Sequence, residues 1–466
     1  MKLKRNSLNY TKPFNIKKMK FADYLKKDIA YWPNWLNNIL LRLNVFGKLI
    51  FGYSYFKLRK RLYDKKPEEL LIESVNYAIK NVPYYREKYG NLIIHTLKDF
   101  EDNIEFINKD IVMSNWDKFL VDNINLSKCN IGTTSGTSGK PLKLVTPTNR
   151  YKRESLFIHS VREPSGWRVG VIKALIRNHR LPVNRDYMIN PVTKELIFDA
   201  FRIDEKYSKT TYNIIKKHKV DVIHAYPSAV YQFFKLCEKQ NLDLSIIKIC
   251  LLSSEAVTDE QIWYISKHLN IKINYTYGHS EKLILAANDD ESFDLLVEPY
   301  YGYFELIDEN GEKINKIGKI GEMVGSTFFN RHMPLIRYKT GDFAEYGGIE
   351  KNANSIEKII LNKIHGRRDK SIIYKANGTT TSLTSLNLHG EFYEHIDGIQ
   401  YIQERTGYIT ILIIKNSLYN KTDEDFITDH VGNVMGGMRY VSVKYVDKLI
   451  FQDNGKFLPL ISRLLN

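Results

Sequence analysis

A glycine- and hydroxyl-rich segment, TTSGTSGKPLK at residues 133–143, has the residue types that bind phosphate. Gly136 and Gly139 let the backbone bend tightly and approach a ligand, while the hydroxyls, the exposed amides and Lys140 and Lys143 could surround phosphate oxygens. A Walker A motif is excluded, because Pro141 follows Lys140 where that motif requires Ser or Thr. Taken alone, the segment is more often a polar surface loop than a binding site.

Four further segments combine a glycine with charged side chains within a few positions. They are YGHSE (277–281), RYKTGD (337–342), HGRRD (365–369) and NGKFLPLISRL (454–464). A single carboxylate can hold Mg²⁺ when phosphate oxygens supply other ligands. A carboxylate in the tight turn predicted at residues 341–342 could accept hydrogen bonds from both ribose hydroxyls. Three of these segments also have an ordinary interpretation: a helix-start Glu281, a turn-capping Asp342 or a surface Lys456.

Together these motifs resemble the adenylate-forming enzymes, which include acyl-CoA synthetases, nonribosomal adenylation domains and luciferases. The similarity is greater to the phenylacetate–CoA ligase-like branch of capsule and O-antigen gene clusters, often called CapK-like. Seven segments in order carry the resemblance: NVPYYREKY (81–89), FINKDIVMSNWDKF (106–119), AYPSAV (225–230), SSEAV (253–257), YGHSE (277–281), GEMVGSTFFNRHMPLIRYKTGD (321–342) and HGRRD (365–369).

The resemblance implies an ATP site that also binds Mg²⁺. The residues it assigns to the ATP phosphates are Thr134, Ser135, Gly136, Thr137, Ser138, Gly139, Lys140 and Lys143. Tyr277 and Gly278 would border the adenine, Glu281 would hold Mg²⁺, and Asp342 would bind the ribose. Arg367 would reach the ribose or phosphates, with Arg368 as its competitor.

The same resemblance implies a moving C-terminal domain that takes part in catalysis. Asp369 would be the hinge residue whose backbone rotates between two catalytic poses. Lys456, behind Gly455, would bridge the substrate carboxylate to the α-phosphate, because a fixed cation offsets the repulsion between two anions. Tyr226, Ser254 and Tyr275 are candidates for the acyl pocket.

The implied reaction is AMP-forming activation of a carboxylic acid, followed by acyl transfer. CoA is the expected acceptor, with an amine or hydroxyl of a sugar or amino acid as the alternative. That alternative stays open because the segment after the hinge, NGTTTSLTSLN (377–387), lacks carboxylates where the family usually has Glu. A catalytically inactive binding or scaffold relative is a further alternative.

Periodicity along the chain predicts the elements that would position these residues. The segment at 67–89 has apolar residues three to four apart and predicts a helix that ends before Pro83. β-rich runs at 220–226, 246–254 and 271–277 alternate with a helical run at 228–240, which indicates an α/β layered sheet.

The C-terminal part of the chain is expected to form a smaller α+β unit. From about residue 342 the chain becomes β-rich, with turn signals at 347–348 and 377–378, and in the C-terminal part a strand at 408–414 precedes a helix at 423–431. The predicted architecture is therefore a layered α/β adenylation domain at residues 1–365, including a helical region over about 1–100, and a small mobile α+β lid at 366–466.

Composition narrows the class of protein. The 466 residues include 43% hydrophobic residues, which indicates a packed globular chain rather than a disordered one. The net charge of +16 favours anionic partners, but nucleic acid is not expected because no recognition motif is present. Cys129, Cys237 and Cys250 are far apart, so neither a disulfide framework nor a zinc site is predicted.

The N-terminal region bears on where in the cell the protein is located. It has no signal-peptide pattern and no run long enough to span a membrane, so a cytoplasmic protein is expected. The aromatic run at 32–56 and the LRKR cluster at 58–61 could lie flat on the anionic inner face of the membrane. Alternatively, they form helices that pack on the rest of the protein.

Overall fold

The computed structural model describes most of the chain between residues 32 and 464. The described residues are 32–43, 55, 57–59, 61–134, 142–148, 150–177, 179–255, 257, 259–288, 292–351, 356–365, 372–386, 388, 392, 395–450 and 460–464.

Helices and strands alternate through the centre of the chain. The helices are α1 (Asn34–Arg42), α2 (Pro67–Asn81), α3 (Pro83–Tyr89), α4 (Leu97–Asn103), α5 (Lys109–Ser114), α6 (Arg150–Arg162), α7 (Glu205–Lys217), α8 (Pro227–Lys239), α9 (Asp259–Trp263) and α10 (Lys421–Met435). The strands are β1 (Cys129–Thr133), β2 (Lys143–Pro147), β3 (Lys173–Arg177), β4 (Met188–Asn190), β5 (Glu195–Asp199), β6 (Val222–Ala225), β7 (Ile249–Ser253), β8 (Lys272–Gly278), β9 (Leu285–Asn288), β10 (Leu295–Val297), β11 (Gly302–Ile307), β12 (Ile320–Thr327), β13 (Tyr338–Lys351), β14 (Glu357–His365), β15 (Ile372–Tyr374), β16 (Thr380–Ser382), β17 (Ile396–Arg405), β18 (Tyr408–Lys415), β19 (Val441–Tyr445) and β20 (Leu460–Ser462).

A twelve-stranded mixed sheet organises residues 173–365, in the order β11-β12-β13-β14-β10-β9-β8-β7-β6-β3-β5-β4. The strands β5, β3, β6, β7 and β8 are parallel neighbours. Strand β7 is almost wholly buried, as expected for a parallel strand covered on both faces. The strands predicted at 220–226, 246–254 and 271–277 and the helix predicted at 228–240 are confirmed.

Two hydrophobic cores lie against this sheet. One joins α2, α3 and α4 to the antiparallel strands, with Leu71, Phe100 and Met323 fully buried. The other joins α7 and α8 to the parallel strands, with Ile215, Phe234 and Leu252 fully buried. The predicted end of a helix before Pro83 is confirmed, because α2 ends at Asn81 and a second helix begins at that proline.

The C-terminal segment builds sheets of its own. Strands β15 and β16 form a hairpin, and β19-β18-β17-β20 form a four-stranded sheet. Helix α10 covers that sheet through Ile427 and Val431, both fully buried. The predicted fold class, a large layered α/β domain followed by a smaller α+β domain, is confirmed. The proposed boundary near residues 366–369 lies outside the described residues and stays a prediction, as does the movement of the small domain.

Two predicted turns lie within a strand instead. Gly341–Asp342 and Gly347–Gly348 both belong to β13, so the turns expected there are wrong. The register of β13 shifts against β12 around residues 340–342 and against β14 around 346–348. Gly341 has φ +72° and Gly348 has φ +119°. These glycines mark β-bulges, which use the same left-handed backbone conformation that made them resemble turns.

Helix α1 packs on the edge of the large sheet. Nδ2 of Asn37 donates to the carbonyl of Ile189 at 3.0 Å, and Leu41 is buried. Trp35, on another face of the helix, is 67% exposed. The helix in the described part of the aromatic run at 32–56 therefore packs on the rest of the protein. Membrane contact by this run stays a prediction. Among the residues that the structure describes, no helix is long and apolar enough to span a bilayer.

Candidate active site

A cavity of about 650 Å³ opens at the carboxyl ends of β3, β6, β7 and β8. This is the edge at which α/β sheets bind ligands. Seven of the predicted site residues line it: Thr134, Tyr226, Ser254, Tyr277, Gly278, Glu281 and Asp342. Residues separated by more than 200 positions in the chain therefore share one space.

The glycine-rich loop begins and ends at the wall of the cavity. Strands β1 and β2 pair in antiparallel register on either side of it. The amide of Thr134 donates to the carbonyl of Leu142 at 2.9 Å, and the amide of Leu142 donates back to Oγ1 of Thr134 at 2.9 Å. These two hydrogen bonds hold together the two ends of the loop, which we call its neck. The predicted phosphate-binding residues Ser135, Gly136, Thr137, Ser138, Gly139 and Lys140 lie outside the described residues.

Tyr277 and Asp342 are joined by a direct hydrogen bond. The Tyr277 hydroxyl donates to Oδ2 of Asp342 at 2.7 Å, which connects the end of β8 with the bulge of β13. The bulge is itself fixed, because the amide of Asp342 donates to Oγ1 of Thr340 at 3.1 Å and that of Gly341 to Oε1 of Glu322 at 3.1 Å. Within the described part of the chain, the other carboxylate oxygen of Asp342, Oδ1, is not engaged by this bond and could accept from a ligand in the cavity.

Glu281 is held in the wall by its neighbours. Its Oε2 lies 2.9 Å from Nδ1 of His279, and its Oε1 accepts from the Tyr338 hydroxyl at 3.4 Å. Nε2 of His279 accepts from the amide of Ile284 at 3.1 Å, so the imidazole proton belongs on Nδ1 and points at the carboxylate. The side chain of Glu281 is 13% exposed. An oriented carboxylate that faces a polar cavity fits Mg²⁺, which prefers oxygen ligands.

The motifs AYPSAV and SSEAV meet on the other side of the cavity. The amide of Ser228 at the start of α8 donates to Oε2 of Glu255 at 3.1 Å, where the helix dipole favours a carboxylate. Ser254 has φ +72°, a conformation that favours glycine, and its Oγ accepts from Nη2 of Arg177 at 2.7 Å. The guanidinium of Arg177 also lies 5.1 Å from the centroid of the Tyr226 ring.

Two predicted site residues do not line the cavity. Leu144 of β2 faces it, so the adjacent Lys143 is directed to the opposite side of the strand, where its ammonium lies 5.8 Å from the Trp116 ring centroid. Tyr275 lies on the same face of β8 as Tyr277 but two residues deeper, and it packs between the two large cores. The predicted Arg367, its competitor Arg368, the hinge residue Asp369 and the catalytic candidate Lys456 are all outside the described residues.

The cavity residues that were not predicted from the sequence include Arg162, Arg177 and His224. Two of them had a signal, because Arg177 ends the apolar strand β3 and His224 interrupts the apolar strand β6. Burial, together with the guanidiniums of Arg162 and Arg177, holds the pKa of His224 well below its usual value. Burial and the nearby Arg177 lower the pKa of Arg162 to about 10. Arg162 ends a helix of low amphipathicity, and no pattern marks it.

Sequence comparisons agree with the resemblance seen in the motifs. Residues 372–463 match the family model described as the CapK C-terminal domain. Protein CapK of Staphylococcus aureus is 23% identical over 404 residues, which cover 82% of this chain and 87% of that protein. A phenylacetate-coenzyme A ligase of Pseudomonas putida is 22% identical over 324 residues, which cover 66% of this chain and 71% of that protein. The predicted relationship to CapK and to phenylacetate–CoA ligases is confirmed.

Solved structures agree on the fold. A crystal structure of 2-hydroxyisobutyryl-CoA ligase in complex with 2-HIB-AMP and CoA has a TM-score of 0.52, at 14% identity over 85% of this chain and 89% of that one. The same enzyme in its postadenylation state has a TM-score of 0.50, at 14% identity over 84% and 88% of the two chains. At such identities the likeness establishes the architecture, which is that of adenylate-forming enzymes.

Proposed function

We propose that this chain is an ATP-dependent, AMP-forming ligase that activates a carboxylic acid as an acyl-adenylate. The observation that carries the proposal is the hydrogen bond from Tyr277 to Asp342, because it joins two of the predicted nucleotide motifs in one cavity. The neck of the glycine-rich loop at Thr134 and the carboxylate of Glu281 line the same cavity. Relatedness to phenylacetate–CoA ligases supports the class of reaction.

In the proposed reaction, a carboxylate oxygen attacks the α-phosphorus of ATP and pyrophosphate leaves. Little covalent chemistry is asked of the protein, so catalysis depends on position and charge. Asp342 accepts hydrogen bonds from the ribose, and Tyr277 and Gly278 border the adenine. The amides and hydroxyls of the loop at 134–140 surround the phosphates. Lys456 offsets the repulsion between the anionic nucleophile and the anionic phosphate.

Glu281 is the proposed protein ligand of Mg²⁺. When bound there, the ion would supply positive charge to the phosphate oxygens. His279 holds the carboxylate in position through the 2.9 Å contact from Nδ1, as an outer partner does for a metal ligand.

The acyl group has two candidate acceptors. CoA is favoured by the relationship to enzymes named CoA ligases. An amine or hydroxyl of a sugar or amino acid is favoured by the absence of carboxylates in residues 377–387 and by the similarity to CapK. That similarity also motivates the proposal that the chain serves capsule or O-antigen biosynthesis.

The proposal is tested by ATP–pyrophosphate exchange with a panel of carboxylic acids and purified full-length chain. Exchange that depends on one class of acid supports it, and mass spectrometry without acceptor then identifies the acyl-AMP. Binding of a non-hydrolysable ATP analogue without exchange for any acid would instead indicate an inactive relative with a binding role. Absence of both nucleotide binding and exchange would overturn the proposal.

A further inference from the structure

A cluster of two arginines and one histidine forms the end of the cavity away from Tyr277. Arg177 ends β3, His224 belongs to β6, and Arg162 comes from the last turn of α6. The sheet order β8, β7, β6, β3 places β6 about 10 Å and β3 about 14 Å from β8, at a strand spacing of about 4.8 Å. The cluster therefore lies two to three strands away from the adenine motif, in the same cavity.

Both guanidiniums converge on one acceptor atom. Nη2 of Arg162 and Nη1 of Arg177 each lie 3.2 Å from Nε2 of His224. Guanidinium is always a donor, so Nε2 must carry a lone pair and His224 must be neutral, with its proton on Nδ1. His224 therefore orients the two arginines and contributes no negative charge.

The positive charge of the cluster is not balanced by the described part of the protein. Neither guanidinium has a carboxylate within ion-pairing distance there, and the other polar contact of Arg177 in the cluster is the neutral Ser254 hydroxyl. The nearby Glu195 is paired with Lys173 at 3.0 Å. Arg162 is only 8% exposed, and among the described residues neither its buried Nε nor the buried Nδ1 of His224 has a hydrogen-bond partner. Buried like charges of this kind are costly unless an anion offsets them.

We propose that the acid activated in this cavity carries a second carboxylate, and that Arg162 and Arg177 bind this group while the other carboxylate reacts. The planar forks of two arginines match the two oxygens of a carboxylate, and each can donate a pair of hydrogen bonds. The inference rests on the proposed function and adds to it the class of substrate. A pocket for an uncharged acyl chain would have no use for two oriented guanidiniums.

The test compares substrates that differ only in the remote group. ATP–pyrophosphate exchange is measured with saturated dicarboxylates of about four to eight carbons, with their monomethyl esters and with the length-matched monocarboxylates. The expected result is a kcat/KM at least about 30-fold higher for one dicarboxylate than for its ester and its monoacid, because a charged hydrogen-bonding partner is lost in both. An equal or higher kcat/KM for the monoacids would overturn the inference.

Variants connect this preference to the cluster. Arg177→Gln is expected to lower kcat/KM for the dicarboxylate about 30-fold or more relative to kcat/KM for the monoacid, whereas Arg177→Lys recovers part of this preference. Arg168→Gln is the control, since Arg168 is exposed and does not line the cavity. Equal effects of Arg177→Gln on both acids would contradict the assignment.

Calorimetry separates this inference from the proposed function. The preferred dicarboxylate is titrated into full-length chain saturated with a non-hydrolysable ATP analogue, which requires no turnover. Binding that is weakened by Arg177→Gln supports the subsite. Analogue binding without any dicarboxylate binding overturns the inference alone, whereas absence of analogue binding overturns the proposed function and the inference with it.

Discussion

The hydroxyl of Tyr277 lies 2.7 Å from Oδ2 of Asp342, although the two residues are 65 positions apart in the chain. Tyr277 comes from the carboxyl end of β8, and Asp342 from the bulge of β13. The bond orients the carboxylate before any ligand binds. Under the proposed function Oδ1 would accept from the ribose, and pre-orientation of this kind would lower the cost of ordering the site when ATP binds.

Asp342→Asn is expected to weaken the binding of a non-hydrolysable ATP analogue by about 10- to 100-fold, because a charged acceptor contributes roughly 1.5–3 kcal/mol. The amide keeps an oxygen that can accept from Tyr277, so the fold should be preserved. Calorimetric titration measures the affinity. Tyr277→Phe is the matched variant: it removes the orienting bond but keeps the carboxylate, and it should weaken binding less. Unchanged affinity of Asp342→Asn would refute the ribose role.

Lys456→Ala is expected to lower the rate of acyl-adenylate formation by about 100-fold or more, because the fixed cation acts mainly in the transition state. ATP affinity should change little. Single-turnover formation of acyl-AMP measures the step. Lys444→Ala is the control, since Lys444 is an exposed lysine on β19 of the same small domain. A near-normal rate for Lys456→Ala would remove that residue from the mechanism.

Arg337→Met is expected to lower the free energy of unfolding by about 3–5 kcal/mol, because it leaves the carboxylate of Glu305 buried without its partner. Nη2 of Arg337 lies 2.9 Å from Oε1 of Glu305, and the two side chains are 8% and 0% exposed. Nη1 also donates to the carbonyl of Ile104 at 2.6 Å. This arginine of the RYKTGD motif therefore has a structural role.

Urea denaturation measures the loss in the free energy of unfolding. Replacing both partners, Arg337→Met with Glu305→Leu, should recover most of it, since an apolar pair often substitutes for a buried ion pair. If the double variant were as unstable as the single one, the stranded carboxylate would not be the cause.

Acid should destabilise the protein through His159, whose pKa is lowered to about 3 by burial and by the nearby Arg162, Lys173 and Arg59. The unfolded chain, with a histidine pKa of about 6.5, binds the proton more readily than the folded one. The contribution to stability is therefore complete above about pH 6.5 and decreases as the pH falls towards 3, by about 1.4 kcal/mol per unit.

Denaturant unfolding at pH 7.5 and 5.0 measures this dependence against His159→Asn. That variant keeps a hydrogen-bonding group for the Tyr55 hydroxyl, which lies 2.8 Å from Nδ1 of His159. The wild type should lose about 1–2 kcal/mol more than the variant between the two pH values. Other histidines with lowered pKa values act with the same sign in both proteins and cancel. Identical losses would show that His159 does not titrate in this way.

Local sequence patterns were sufficient to predict helices and strands that surround the cavity. Proline stops the helix at Asn81, apolar runs predict the parallel strands, and the seven motifs occur in the order of the family. A helix is specified by apolar residues three or four positions apart and a buried strand by a short apolar run, so the local pattern detects both. The local sequence also singled out Gly341 and Gly348, but it predicted turns there. Bulges and turns use the same backbone conformation, and only strand pairing distinguishes them.

The amino-acid sequence by itself determined the order of helices and strands, the class of fold and which motifs could hold a nucleotide, because these depend on neighbouring residues. Tertiary structure alone decided which side chains share the cavity. It directed Lys143 towards Trp116, joined Tyr277 to Asp342, and brought Arg162 and Arg177 from a helix and a strand to one nitrogen of His224. Such contacts depend on strand order and packing between distant segments, and no local pattern encodes them.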